Sequence, residues 1–315
     1  MLQFSMFSQL ARLKLSSNIF KFSVKRNFYE ANYLPPLKKT LNQARASIEY
    51  MDNNAKHYFI GGERSLAVAI ELLLEKKIIA VPTDTVYGLA TLAQDKNCVD
   101  NLYELKERDK NKPIAICLSS ISDIHNWAEI DHLPKNLLGA LLPGSVTVVL
   151  KRKSILNSSL NPGTDTIGIR VTDSKFIRSI CKVIKQPLAL TSANLSNQPS
   201  SLVTNEFRQL WPNIGGIFYT IVNRKKINDS FRVGSTVVDL TEPMKFSIIR
   251  KGAGFERVVR NCYRHGVTST EYTWNPKINN DEDDDDNNEE NDNEDETVEG
   301  DEADADKECE EMIAG

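Results

Sequence analysis

The sequence predicts an α/β domain (α+β-like in its element order) with a mixed β-sheet and flanking helices. Between residues 45 and 265, apolar β-branched segments alternate with segments whose apolar residues have helical spacing. Some strand-like segments also follow one another directly, which favours a mixed sheet over a doubly wound parallel one. A segment of this length is enough for one domain with a sizeable core.

The helices are predicted from apolar residues at helical spacing and from signals at the helix ends. Ser65 precedes the run LAVAIELLLEKK, which indicates a helix with Ser65 as its N-cap and lysines in its last turn. A second helix ends in the basic run KERDKNK. The predicted helices cover residues 66–77, 95–108, 121–142, 174–185 and 206–210.

Strands are predicted where apolar and β-branched residues run together between turn-forming residues. Pro143 and Gly144 precede the run SVTVVL, and an Asn-Pro-Gly turn precedes the run TIGIRV. The predicted strands cover residues 78–81, 114–118, 145–150, 166–171, 188–194, 216–222, 235–240 and 246–250.

The N-terminal segment, residues 1–44, is predicted to be a mitochondrial transit segment or disordered. Its first 29 residues contain five Lys or Arg and no acidic residue, with Ser and large apolar residues between them. A basic N-terminus without a targeting role is the alternative. We expect the protein in the mitochondrion and the cytoplasm. No apolar run approaches the ~20 residues that span a bilayer, so no stable membrane insertion is expected.

The C-terminal segment, residues 266–315, is predicted to be a disordered acidic tail. Residues 281–311 hold 20 Asp or Glu and one basic residue, Lys307, too few apolar groups to fold. Without this block the formal charge of the chain changes from -4 to +15. A basic domain suggests anionic ligands such as nucleotide or RNA. The tail either shields that domain or only adds solubility.

The cysteines and histidines give no sign of a metal site. The five cysteines are widely spaced without a Cys-x-x-Cys pair, and the four histidines are scattered. Neither a disulfide framework nor a zinc site is predicted. A reducing compartment is expected.

Several polar loops offer groups that suit a phosphate or another small anion. The strand at residues 78–81 opens into a hydroxyl-rich loop, PTDTVYGL. Lys106 and Arg108 end a helix, and Ser192 and Asn194 end a strand. Lys and Arg together can hold a polyphosphate, although a solvated helix end and a helix cap or turn are the structural alternatives. No Walker-type or dinucleotide-binding glycine loop is present.

Arg170 is the basic residue that most strongly suggests a ligand. It alternates with Ile169 and Val171 in a half-buried strand, where a charge is unfavourable without a partner. A structural salt bridge is the alternative, and we favour an anionic ligand. A last polar loop, Gly234-Ser235-Thr236, precedes a strand, and Arg250 ends the next one.

Taken together, these segments resemble the YrdC family of threonylcarbamoyl-AMP synthases. Between about Leu66 and Gly254 the family pattern is carried, in order, by PTDTVYGL, KERDKNKPIAI, PGSVTVVL, DTIGIRV, TSANLSNQP, GSTVVDL and IIRKGAG. The resemblance implies a twisted mixed sheet with a basic concave cavity. It implies the reaction of L-threonine, bicarbonate and ATP to give threonylcarbamoyl-AMP and diphosphate, with Mg²⁺ accompanying ATP. A separate tRNA threonylcarbamoyl transferase would then modify adenosine 37 of tRNAs that read ANN codons.

The resemblance also implies roles for individual residues. Three positions depart from the family pattern: Cys117 stands where many members have histidine, and Ser145 and Lys251 each replace a proline. The implied catalytic residues are Lys106, Arg108, Ser192 and Asn194; the implied threonine-binding residues are Thr85, Arg170, Ser235, Cys117 and the backbone of Leu190; and the implied ATP-binding residues are Arg108, Asn111, Thr166, Ser192, Ser200 and Arg250.

Two other functions are compatible with a basic domain. One is a module that binds double-stranded RNA or the tRNA backbone without catalysis. Few aromatic residues lie near the basic clusters in the sequence, which argues against a module that stacks the bases of single-stranded RNA. The other is a carbamoyl-transfer domain of a larger maturation enzyme, which the chain's missing acylphosphatase-like and zinc-finger segments argue against. We therefore expect the short, single-domain synthase.

Overall fold

The computed structural model of the protein describes residues 57–220 and 229–273. The predicted transit segment, residues 1–44, lies outside the described residues, as does the acidic run from residue 281 onward. No helix among the described residues is long and apolar enough to cross a membrane.

Ten strands in the described part of the chain form one mixed sheet, which confirms the predicted fold class. Along the sheet their order is β1-β8-β2-β3-β7-β4-β6-β5-β9-β10. Parallel pairs, such as β4 with β6, lie beside antiparallel pairs, such as β5 with β6. The strands are β1 (His57–Phe59), β2 (Ile79–Val81), β3 (Gly88–Leu92), β4 (Ala115–Cys117), β5 (Val146–Lys151), β6 (Thr166–Arg170), β7 (Leu188–Ser192), β8 (Gly216–Tyr219), β9 (Thr236–Asp239) and β10 (Ser247–Arg250).

Helices cover one face of the sheet and only half of the other. The helices are α1 (Gly62–Leu74), α2 (Lys96–Leu105), α3 (Leu137–Leu141), α4 (Lys175–Ile184) and α5 (Phe255–Arg264). Buried residues of α2, α3 and α5 join the larger hydrophobic cluster on the covered face. Helices α1 and α4 form a second cluster with β8, β2, β3, β7 and β4. That cluster includes no residue of β6, β5 or β9, so no helix among the described residues packs on this half of the face, which is called the open half below.

Two helix predictions were wrong in their extent. Residues 121–142 do not form one helix, because a short 3-10 helix at Ile121–Asn126 is followed by an isolated bridge at Ala128 and by turns before α3. Glu129 N donates to Lys151 O at 2.9 Å, which places the residues of this bridge beside the end of β5. Ser65 is not an N-cap, since α1 begins at Gly62 with Gly61 as its N-cap.

The fold extends beyond residue 265, where the predicted tail begins. Val267 is 2% exposed and belongs to the larger cluster. Phe246 N donates to Thr268 O at 2.9 Å, which places residue 268 beside the start of β10. The ring of Tyr272 packs edge-on against Phe255. Helix α5 had not been predicted, although its sequence FERVVRNCYR has an amphipathic pattern.

The segment after β10 folds back tightly on the start of β9. Ala253 N donates to Gly234 O at 2.9 Å, and Thr236 Oγ1 donates to Ala253 O at 2.9 Å. Gly252 lies against this backbone so closely that a Cβ would overlap the Gly234 carbonyl oxygen and the Ser235 carbonyl group. A glycine is therefore required at this position for steric reasons.

Gly252→Ala is expected to lower the free energy of unfolding by about 1–3 kcal/mol, the usual range for overpacking against atoms that cannot move freely. Gly139→Ala is the matched control, because a Cβ there would meet nothing within 4 Å and alanine favours a helix. Urea unfolding of both variants measures the difference. Equal stability of the two variants would contradict this account of the turn.

Candidate functional site

Strand register places seven of the predicted site residues on one face of the sheet. Side chains alternate between the two faces along a strand, and paired residues on neighbouring strands share a face. Cys117 pairs with Arg170, and Arg250 pairs with Val237. Continued from strand to strand, this register puts the following residues on the half-covered face: Leu190, Ser192, Cys117, Thr166, Arg170, Ser235 and Arg250.

The open half of this face lies on β6, β5 and β9. Val149 and Val237 are only half-buried there, whereas Val148 and Val238, which point to the covered face, are 0% exposed. Thr166 and Arg170 lie four residues apart on β6 and therefore about 13 Å from each other. The open half is thus long enough to hold two different groups of one ligand, or two ligands.

Lys106 holds the loop that follows β7. It lies at the C-cap of α2 and is fully buried, and its Nζ donates to the carbonyl oxygens of Ser192 and Asn194, both at 2.5 Å. Ser196 N donates back to Lys106 O at 3.0 Å. Burial, and secondarily the positive charge of Arg108, lowers the pKa of Lys106 to about 7. Its charge therefore responds to an anion that binds nearby.

Asn194 has a polar atom without a partner. Its Nδ2 donates to Leu195 O at 2.6 Å and to Gln198 O at 2.9 Å. Its Oδ1 is buried and has no hydrogen-bond partner within the part of the chain that the structure describes. Since buried polar atoms are almost always paired, this oxygen is suited to accept a hydrogen bond from a ligand.

The loop after α2 lies next to the loop after β7. Arg108 Nε donates to Lys112 O at 3.0 Å, and its Nη2 donates to Pro113 O at 2.9 Å. Lys112 Nζ donates to Asn197 Oδ1 at 2.7 Å, which joins the two loops. Asn111 is exposed at the tip of the first loop. The structure therefore brings Lys106 and Arg108 together with Ser192 and Asn194, whereas Asn111 stays at the rim.

Positive charges converge on the open half of the face. Desolvation lowers the pKa of Arg250, and the positive charges of Arg170 and then Arg108 lower it further. Desolvation also lowers the pKa of Arg108. Like charges repel one another in this way only when they are close and poorly solvated. The arrangement favours a ligand with several negative charges.

Ser235 connects this cluster of charges to β5. It is 3% exposed, and its Oγ lies 2.7 Å from Thr147 Oγ1. Arg250 Nη2 donates to Ser235 O at 2.7 Å and approaches Ser235 Oγ at 3.3 Å. Thr147 was not among the predicted site residues. Its position between Val146 and Val148 in β5 could have indicated a polar side chain on the face opposite the hydrophobic cluster.

Arg170 is paired with an acidic residue, which is the structural alternative that the sequence left open. Its Nη2 donates to Asp84 Oδ1 at 2.5 Å, and each side chain is only 9% exposed. The same Nη2 lies 3.5 Å from Thr85 Oγ1. Arg170 Nε, however, is buried and has no hydrogen-bond partner among the described residues. Arg170 thus has both a structural partner and a donor left for a ligand.

The remaining predicted residues border these groups. Cys117 is fully buried, and its pKa is lowered first by a hydrogen bond from Cys181 and then by Arg170. Thr85 Oγ1 lies 3.1 Å from Thr83 Oγ1. Ser200 is half-buried, and its carbonyl accepts a hydrogen bond from Arg232 Nη1 at 3.0 Å.

No metal site is found among the described residues, since they contain no group of three or more His, Cys, Asp or Glu that could hold an ion. The site is instead built from Lys, Arg, Asn and hydroxyl groups. Such a donor set binds carboxylates and phosphates directly.

Comparisons with known proteins agree on one family. The family model Sua5_yciO_yrdC, described as telomere recombination, matches residues 71–252. Human threonylcarbamoyl-AMP synthase is 42% identical over 200 residues, which is 62% of this chain and 70% of the human protein. The bovine enzyme of the same name is 42% identical over 211 residues, covering 66% of this chain and 75% of the relative.

Solved structures give the same grouping. Pyrococcus abyssi Sua5 complexed with L-threonine is 26% identical, with a TM-score of 0.57, covering 68% of this chain and 61% of that chain. Escherichia coli YciO has a TM-score of 0.56 at 20% identity, covering 62% of this chain and 95% of that one, and shows the fold alone.

The protein is expected to take up protons when a polyanion binds near Lys106. At pH 8 a lysine with a pKa of about 7 is mostly neutral, and nearby negative charge favours the ammonium form and raises its pKa. Calorimetric titration with inorganic diphosphate, in two buffers of different ionisation enthalpy, measures the uptake. Lys106→Arg, which keeps its charge at this pH, should take up clearly fewer protons. Equal uptake by both proteins would contradict the assigned pKa.

Proposed function

The chain belongs to the Sua5/YciO/YrdC family, and on that basis we propose that it is an L-threonylcarbamoyladenylate synthase. It joins L-threonine, bicarbonate and ATP into L-threonylcarbamoyl-AMP and releases diphosphate. The observation that carries the proposal is a set of cationic and polar groups in two regions: Arg170 and Ser235 lie on the open half of the face, and Lys106 and Arg108 lie beside the loop that follows β7. Support comes from the 42% identity to the human and bovine synthases and from the threonine complex of the archaeal relative.

Arg170 and Ser235 would hold the threonine carboxylate. Arg170 Nε is a buried donor without a partner among the described residues, and the Ser235 hydroxyl lies on the same face. A guanidinium recognises a carboxylate through two parallel hydrogen bonds. Thr85, at the Arg170 guanidinium, would orient the threonine amine or side-chain hydroxyl. Cys117 would form the buried floor of this pocket, with Leu190 contributing backbone.

The chemistry needs no protein nucleophile. The threonine amine attacks bicarbonate, or CO2 derived from it, to form a carbamate. A carbamate oxygen then attacks the α-phosphorus of ATP, and diphosphate leaves. Positioning and charge stabilisation supply the catalysis of such a transfer.

Lys106, Arg108 and Arg250 would offset the charge on the phosphates as diphosphate departs. Asn194 would accept a hydrogen bond through Oδ1, which has no partner in the described segments, and Ser192 would contact the nucleotide. Asn111, Thr166 and Ser200 are proposed as further ATP contacts around this region.

Mg²⁺ is proposed to enter with ATP as a counterion of the phosphates. Mg²⁺ often binds through phosphate oxygens and keeps several water ligands. This mode fits the described residues, which offer Lys and Arg rather than a carboxylate cluster at the site.

The product is an activated acyl-adenylate, which suits a transferase that modifies tRNA. We propose that a tRNA threonylcarbamoyl transferase uses it for adenosine 37 of ANN-decoding tRNAs. Activity in the mitochondrion and in the cytoplasm is proposed from the composition of residues 1–44.

Release of diphosphate from ATP tests the proposal, measured with bicarbonate in the presence and absence of L-threonine. Release that requires threonine, with no response to L-serine at equal concentration, is the expected result. Absence of release, together with salt-sensitive tRNA binding, would instead support the RNA-binding function.

Arg170→Ala is expected to raise the KM for threonine about 10- to 100-fold, the factor that one charged hydrogen bond provides. The KM for ATP should change little. Arg250→Ala is the matched variant and should raise the KM for ATP more than that for threonine. Steady-state diphosphate release with each substrate varied in turn separates the two constants. Equal changes of both constants in Arg170→Ala would exclude the role assigned to Arg170.

A further inference from the structure

The ion pair between Asp84 and Arg170 joins two segments that are far apart in sequence. Asp84 lies in the loop between β2 and β3, and Arg170 is the last residue of β6. Asp84 Oδ1 lies 2.5 Å from Arg170 Nη2, and both side chains are 9% exposed. At this burial, solvent screens the pair much less than it screens a surface ion pair.

Further hydrogen bonds fix Asp84 in place. Thr172 Oγ1 donates to Asp84 Oδ1 at 2.8 Å, and Asp173 N approaches Asp84 Oδ2 at 3.4 Å. Thr172 Oγ1 in turn accepts a hydrogen bond from Ser174 N at 3.2 Å, at the N-cap of α4. The Asp84 carboxylate is therefore held by backbone and side-chain groups at the junction of β6 and α4.

The Asp84 carboxylate is engaged within the protein, whereas the guanidinium of Arg170 is only partly engaged. Oδ1 of Asp84 accepts hydrogen bonds from Arg170 and Thr172. Arg170 Nε is buried and lacks a partner among the described residues. A buried donor of this kind is unfavourable unless a ligand pairs with it.

We propose that Asp84 is a positioning residue, which holds Nη2 of Arg170 so that Nε is presented to the carboxylate of L-threonine. This inference rests on the proposed function. An arginine side chain has many rotamers, and a fixed partner for one nitrogen reduces the orientations that remain for the others. Asp84 thus acts on threonine binding through Arg170 and has no direct contact with the substrate.

Asp84→Asn tests the proposal, because it removes the charge and keeps the size of the side chain. We expect the KM for threonine to rise about 10-fold or more, as for loss of a charged hydrogen bond. The KM for ATP should stay within about twofold of the wild-type value. Asp100→Asn is the matched control, since Asp100 also forms ion pairs, with Lys96 and Lys110, but at a more exposed place than Asp84. It should change neither constant.

A double-mutant cycle decides whether Asp84 acts through Arg170. The variant with both Asp84→Asn and Arg170→Ala should have the threonine KM of Arg170→Ala alone. Additive effects, a threonine KM unchanged by Asp84→Asn, or equal rises for threonine and ATP would each overturn the proposal.

A variant that fails to fold and a wild-type chain without activity have different consequences for the proposal. If Asp84→Asn does not fold, Asp84→Glu replaces it, since it keeps the negative charge but shifts the carboxylate by one methylene relative to Nη2 of Arg170. A rise in the threonine KM alone would support the proposal, and no change would overturn it. A wild-type chain that releases no diphosphate in the presence of threonine would overturn the proposed function, and this proposal with it.

Discussion

The site depends on one constraint, the alternation of side chains along strands that are fully covered on one face and half-covered on the other. In β5 and β6 every second residue must be apolar, because it packs into the larger cluster. The residues between them face the open half and are free of that requirement. Thr147, Thr166 and Arg170 occupy such positions. The sheet can therefore place polar groups on the open half without disturbing its hydrophobic core.

The positive charges of the site stabilise a bound anion and destabilise the folded protein when no anion is bound. Lys106 is fully buried, and its pKa is lowered to about 7. The pKa of Arg250 is lowered by desolvation and then by the charges of Arg170 and Arg108. Because folding lowers the pKa of Lys106 from 10.5 to about 7, this group opposes folding increasingly as the pH falls through that range, and fully below pH 7. Functional sites commonly keep such unfavourable groups at the expense of stability. An anionic substrate relieves the repulsion when it binds.

Sequence reasoning recovered the parts of the fold that depend on local pattern. The β-branched run of β5 and the polar ends of β6 and β7 were predicted close to their observed positions. Strand β3 was missed because its GLATL sequence is buried on both faces and shows no alternation. Asp84 was not assigned a role because its partner Arg170 lies 86 positions away. Contacts of this kind follow from sheet order, which local periodicity does not encode.

The sheet order favours one sequence of events in folding. Strands β4 to β7 lie close in the chain, but β5 is bordered by β9, which follows β8 in the sequence. Closing so long a loop is slow compared with forming local contacts. A chain that folds from its N-terminus can thus assemble most of the hydrophobic core before Ser235 and Arg250 arrive. Arg250, whose pKa is lowered by Arg170 and Arg108, would then join the site last, on strands that have already paired.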